Sequence, residues 1–169
     1  MTTKSERKEL RRLVREVTHP TRISIRDALA LPDPTMALHS LASNVDQTTA
    51  VGKALARDYY AMCIINSSGV SGLFLTEWLH ERLVDIRATL VTIGAVRTVA
   101  ILDQIQHRIQ QVPGAGENPD LAILTYEFEE WNRSCPSAGE LADEVRDCML
   151  VYARAHIEEL EDGCAPKTL

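Results

Sequence analysis

The feature that most constrains the fold is the run from Leu83 to Gln111. Leu83, Ile86, Leu90 and Ile93 recur at three- and four-residue intervals; after Gly94, Val99, Leu102, Ile105 and Ile109 resume the same period. An α-helix turns once every 3.6 residues, so this spacing puts each set on one face. Gly94 sits where a left-handed helix end is expected, a conformation that glycine adopts without a Cβ penalty. A break of three to four residues then makes the two helices an antiparallel hairpin. Strands need alternation of period two, and nowhere is it sustained in this chain.

The rest reads as further helices. Thr3 and Glu6 have capping-box spacing and open a helix over 4–18, which His19-Pro20 ends. A short helix over 24–30 follows, and Asp33 before Pro34 opens another to Ser43. Asp46 is placed to cap a helix with Val51, Leu55, Tyr59 and Met62 on one stripe, running into a polar corner at 66–72. Thr76 is placed to cap a short segment holding Trp78 and Leu79. After the loop at 113–119, Asn118 and Pro119 open a helix with Leu121, Leu124, Phe128 and Trp131 inward. Ser137 and Glu140 form a second capping box, opening a last helix that runs to Asp162 and stops at Gly163. The expected fold is all-α, a single-domain bundle of about eight helices around a central antiparallel hairpin, without a sheet. A basic helix and short helices occupy 1–46, the main helical unit 47–162, and a tail 163–169.

Charge is unevenly distributed. Residues 1–26 carry eight Lys/Arg against three acids, whereas residues 117–162 carry thirteen acids against three arginines, within a net charge of −6. The basic helix suits a nucleic-acid or membrane surface, or it is solvated or docked on the acidic half. On the acidic half Glu127, Glu129, Glu130, Glu140, Asp143, Glu144, Asp147, Glu158, Glu159 and Glu161 fall on predicted outward faces. Acids in a last helical turn oppose the helix dipole, so helix stability alone does not account for the C-terminal cluster. Proteins that bind DNA do so largely through Lys and Arg contacts to phosphates, and a rigid surface of carboxylates fits such a basic groove.

Chemistry that would make an enzyme is not legible. The four cysteines are separated by gaps of 72, 13 and 16 residues, matching neither a zinc site nor a dense disulfide framework. Cys63 is expected in the core and Cys164 on the surface. The five histidines fall in separate segments without ligand spacing, so no metal, cofactor or catalytic residue is expected. The corner Asn66-Ser-Ser-Gly-Val-Ser-Gly72 lacks the spacing of a phosphate loop and reads as a turn, with an anion nest as the alternative. With no signal-peptide run and no stretch of ~18 apolar residues, the expected location is cytoplasmic and no membrane span is expected.

Several short motifs stand in a recurring order. Asn66, Gly69, Leu73 and Phe74 are followed by Ile93-Gly94-Ala95, then by Leu124 and Phe128, then by Tyr152 and His156. This order resembles a family of small bacterial all-helical domains named after a DNA-mimic protein and otherwise called a domain of unknown function. The resemblance covers residues 47–160; Ser67, Ser68, Val70, Gly72, Thr76 and Thr125 depart from the family pattern. It implies a non-catalytic, often dimeric fold in which the matched residues are fold determinants, with Asn66 as a cap and Gly69 and Gly94 supplying backbone geometry. It also implies an acidic surface that binds a DNA-binding regulator. The expected function is therefore a protein–protein interaction module with a basic partner and without direct nucleic-acid contact. The alternatives are an antitoxin-like protein that neutralises a basic toxin, and nucleic-acid binding through the basic N-terminal helix.

Overall fold

Every regular element in the computed structural model, which describes residues 25–44 and 49–162, is a helix. In chain order these are α1 (Ile25–Leu29), α2 (Pro34–Asn44), α3 (Ala50–Ser68), α4 (Gly72–Leu75), α5 (Glu77–His80) and α6 (Leu83–Ile93). There follow α7 (Val96–Gln111), α8 (Asp120–Ile123), α9 (Tyr126–Asn132), α10 (Ala138–Ala155) and α11 (Ile157–Asp162). The count exceeds eight because two expected helices divide and α4 forms in what was expected to be a turn.

The long helix α3 is the axis of the bundle. It packs along α10 and also touches α2, α4, α6 and α11. Leu55 and Ile65 of α3 meet Leu38 and Leu41 of α2, Ile86 and Leu90 of α6, and Val145 and Met149 of α10 in one buried cluster. Each such side chain, fully buried, contributes about 1.5–3 kcal/mol relative to exposure. The same cluster extends from Ile25 to Leu160, so segments on both sides of residue 46 share one core.

The central hairpin forms with the expected bounds. Gly94 adopts φ 88° and ψ 23°, and its amide donates to the carbonyls of Leu90 and Val91. Arg87 and Asp103 bridge the two arms, with Nε 2.6 Å from Oδ1 and Nη2 2.8 Å from Oδ2.

Asp33 caps α2 as expected, its Oδ1 accepting from the amide of Thr35 at 2.8 Å. The cap of α3 is Thr49, whose hydroxyl oxygen accepts from the Gly52 amide at 2.9 Å; Asp46 lies outside the described residues. Thr76 does not cap α5: its hydroxyl turns back to the Gly72 carbonyl at 2.8 Å. Asn66 does not cap either. It is exposed within α3, which continues to Ser68 and ends at Gly69 with φ 70°. Cys63 is exposed rather than buried, because the core stripe of α3 passes through Met62 and Ile65 on either side of it.

Two expected helices are broken. The helix after Pro119 stops at Ile123 and restarts at Tyr126, with the Thr125 hydroxyl capping the Phe128 amide at 3.1 Å. The change of phase turns Leu121 and Leu124 outward and Ala122 and Ile123 inward. The last helix breaks at His156, and the redirected α11 buries Leu160 in the core. The N-terminal basic helix, Gly163 and Cys164 lie outside the described residues.

Candidate functional site

The acids of α9 to α11 are placed by two segments with strong local starts. Ser137 closes the capping box of α10: Glu140 Oε2 accepts from the Ser137 amide at 2.8 Å and from its hydroxyl at 2.7 Å. Those hydrogen bonds hold the Glu140 carboxyl below its ordinary pKa. One turn later Glu144 points inward. Its Oε1 accepts from the Arg97 amide at 2.9 Å, and its Oε2 accepts from the Thr98 amide at 2.8 Å and hydroxyl at 2.7 Å. Glu144 therefore caps α7 from another helix, supplying what Ala95 at the N-cap position has no side chain to give. Burial pushes its pKa up, but the Thr98 hydroxyl and the two amides outweigh that and hold it below the usual range. With its side chain 10% exposed, Glu144 is withdrawn from the outward acidic face on which its sequence position places it.

Most of the remaining acids have intramolecular partners. Arg133 reaches Glu129 at 2.8 Å, and Arg146 lies between Asp143 and Asp147 at 2.6 and 2.9 Å. Glu158 meets Arg26 of α1 at 2.8 Å, and Glu159 lies 2.8 Å from His156 Nδ1. Glu127 and Glu130 are exposed, with no ion-pair partner among the described residues. Glu161 belongs to α11, and nothing is described of its side chain.

Glu127 and Glu130 directly follow an apolar elbow in the chain. The α8–α9 junction is anchored inward by Ala122, Ile123 and Phe128, and Phe128 meets Trp131 at a ring-centroid distance of 5.3 Å. The Arg108 guanidinium covers Trp131 at 4.4 Å. Outward, Leu124 is 71% and Tyr126 68% exposed, with Leu121 beside the 113–119 loop at 50%. Exposed apolar side chains are ordinary singly; three within six residues, next to unneutralised carboxylates, form a patch that can bury apolar area and attract cations together.

The polar corner borders an open cleft of about 410 Å³, lined by Ser67, Ser68, Gly69 and Val70 on one wall and by Asn132, Arg133 and residues 135–138 on the other. Several polar groups in and beside it are already engaged within the chain. Ser67 donates to the Ile64 carbonyl, Arg133 pairs with Glu129, and the Glu140 amide donates to Ser137 Oγ. The corner is thus a helix-ending turn. Of the other residues that carry the resemblance, Phe74, Ile93, Ala95 and Phe128 are buried and Gly94 closes the hairpin turn. Tyr152 is half-buried against His156, with ring centroids 4.3 Å apart.

One polar residue in the core escaped the sequence reading. Asp58 has no exposed surface, its Oδ2 has no hydrogen-bond partner among the described residues, and its Oδ1 is bonded to Thr89 Oγ1 of α6. Burial pushes its pKa up to about 7, against the smaller lowering effects of the Thr89 bond and the Arg57 charge. The signal was spacing: Asp58 lies three residues after Leu55 and four before Met62, on the apolar stripe itself.

Among the described residues, no group of three His, Cys, Asp or Glu could hold a metal ion, and no helix is long and apolar enough to cross a membrane. The chain matches no protein-family model, no curated protein and no solved structure.

Proposed function

We propose that this chain is a protein-interaction module that recognises a basic partner through the α8–α9 elbow and the acidic face continuing from it. The observation that carries this reading is the juxtaposition of exposed Leu124 and Tyr126 with Glu127 and Glu130, which are exposed and have no ion-pair partner among the described residues. Buried apolar area supplies affinity, while the carboxylates select a cationic partner and speed its approach. The paired acids Glu129, Asp143 and Asp147 remain exposed and add negative charge to this half of the chain, but each is paired with Arg133 or Arg146. A partner that inserts apolar as well as basic side chains fits this surface better than one that reads a continuous row of phosphates. A DNA-binding regulator with an apolar contact beside its basic groove falls within that class, and so does a basic toxin.

The test is capture from cell extract by the full chain, in parallel with a variant carrying Leu124→Ser, Tyr126→Ser, Glu127→Gln and Glu130→Gln. The expected result is a basic protein retained by the wild type, lost with the variant, and weakened by salt. Equal retention by both proteins would move the interface elsewhere and sink this reading.

A further inference from the structure

Thr89 carries one hydroxyl proton but stands between two oxygens. Its Oγ1 lies 2.9 Å from the Ile86 carbonyl oxygen and is also bonded to Asp58 Oδ1. A backbone carbonyl can only accept. If Thr89 donates to Ile86, the proton in the second bond must come from Asp58. That arrangement also accounts for the orphaned Oδ2, since the unpartnered carbonyl oxygen of a neutral acid costs far less to bury than an unpartnered carboxylate oxygen.

We propose that Asp58 is a neutral carboxylic acid in the folded chain, donating to Thr89 Oγ1, and that this proton is a latch that couples α3 to α6. The chain of donors runs from Asp58 to Thr89 to the Ile86 carbonyl and joins the two helices inside the core. When Asp58 ionises, the proton goes to solvent, and Thr89 must turn from Ile86 to the carboxylate. One charged oxygen then remains buried without a donor, so α6 loosens from α3.

Among the described residues, the surroundings do not rescue the charge. Arg57, the neighbour on α3, directs its guanidinium to Asp85 of α6 at 3.6 Å. From α10 the facing group is Tyr152, whose pKa is raised by burial, by Glu159 and by Asp58 itself. On α2, His39 is engaged with the Tyr59 hydroxyl at 3.0 Å; α4 carries no ionisable side chain. On α11, Glu158 pairs with Arg26 and Glu159 with His156.

An acid whose pKa rises on folding keeps its proton in the native chain where the unfolded chain has lost it. The stability this confers is complete below the ordinary value of 3.8 and drains as pH rises, until the native acid itself ionises at about 7. Across that window the folding equilibrium constant falls about tenfold per pH unit from this group alone.

The test compares urea unfolding of the full wild-type chain and Asp58→Asn from pH 5 to 8. The side-chain amide that this substitution introduces can donate to Thr89 Oγ1 at every pH. The wild type should lose about tenfold more in folding constant per pH unit than the variant up to neutrality, and α6 amides should lose protection above that point in the wild type only. Parallel curves overturn the latch, and so does α6 protection that stays constant. Should the variant fail to fold, carbon-13 NMR of aspartate carboxyls in the wild type decides. One carboxyl titrating near neutrality is expected, and the absence of any titrating above about pH 6 overturns the proposal.

Discussion

Glu140 and Glu144 are the same residue type one turn apart on the same helix, yet they do different work. Glu140 closes a box with Ser137, three residues away, and stays exposed. Glu144 crosses to α7 and satisfies amides 46 and 47 residues away, with its side chain nearly covered. Asp58 extends the contrast to full burial. Its one hydrogen-bonding neighbour, the Thr89 hydroxyl, does not offset desolvation, so its pKa moves up where that of Glu144 moves down. Burial alone therefore does not decide the charge state of an acid; the number of donors aimed at it does.

The largest effect should come from Glu144→Ala, which removes the acceptor of two amides at the start of α7 and leaves the Thr98 hydroxyl only the Leu141 carbonyl at 3.4 Å. A loss of about 3 kcal/mol in urea unfolding at pH 7 is expected, since each buried donor left unmade costs about 1–3 kcal/mol. A loss no greater than that of Glu140→Ala would break the contrast between the two residues. The same bond predicts an acid limb. Folding depresses the Glu144 pKa, so its contribution is present above the ordinary value of 4.5 and is lost as pH falls through the lower folded value. The stability gap between wild type and Glu144→Gln should accordingly narrow in acid.

Gly94→Ala comes next, at about 1–2 kcal/mol, the cost of left-handed backbone for a residue with a Cβ. No atom lies within 4 Å of a Cβ added there, so the loss is conformational, and Gly94→Asn should recover part of it. This substitution sharpens the comparison, because Glu144 reaches the Arg97 and Thr98 amides only if the turn delivers them. Ser137→Ala should cost about 1 kcal/mol, as for other lost N-caps, and should leave the start of α7 protected from hydrogen exchange. The smallest effect belongs to Arg87→Ala, since the Arg87–Asp103 pair is exposed on both sides, at 44% and 42%. A slight fall in melting temperature that vanishes in high salt is expected.

Much of the fold is local and was readable. The periodic stripes, the glycine stop at Gly94, the Asp33-Pro34 start and the Ser137/Glu140 box act within one or two helical turns, where spacing alone fixes geometry. The breaks at Leu124 and His156 were not readable, because no proline or glycine marks them. Trading two continuous helices for four shorter ones lets Ile123 and Leu160 reach the core. With the first break goes the candidate surface, since it turns Leu121 and Leu124 outward beside Glu127.

By itself, then, the sequence determined an all-helical chain, the central hairpin and an excess of acids in the C-terminal half. Which acids are left without a cation among the described residues was decided only by the tertiary structure. A carboxylate's fate depends on the partners that folding brings to it: two amides and a hydroxyl for Glu144, arginines for Glu129, Asp143 and Asp147, a lone threonine for Asp58, and no cation among the described residues for Glu127 and Glu130. Those partners are distant in sequence or hidden by helix phase, so their positions become fixed only when the helices pack.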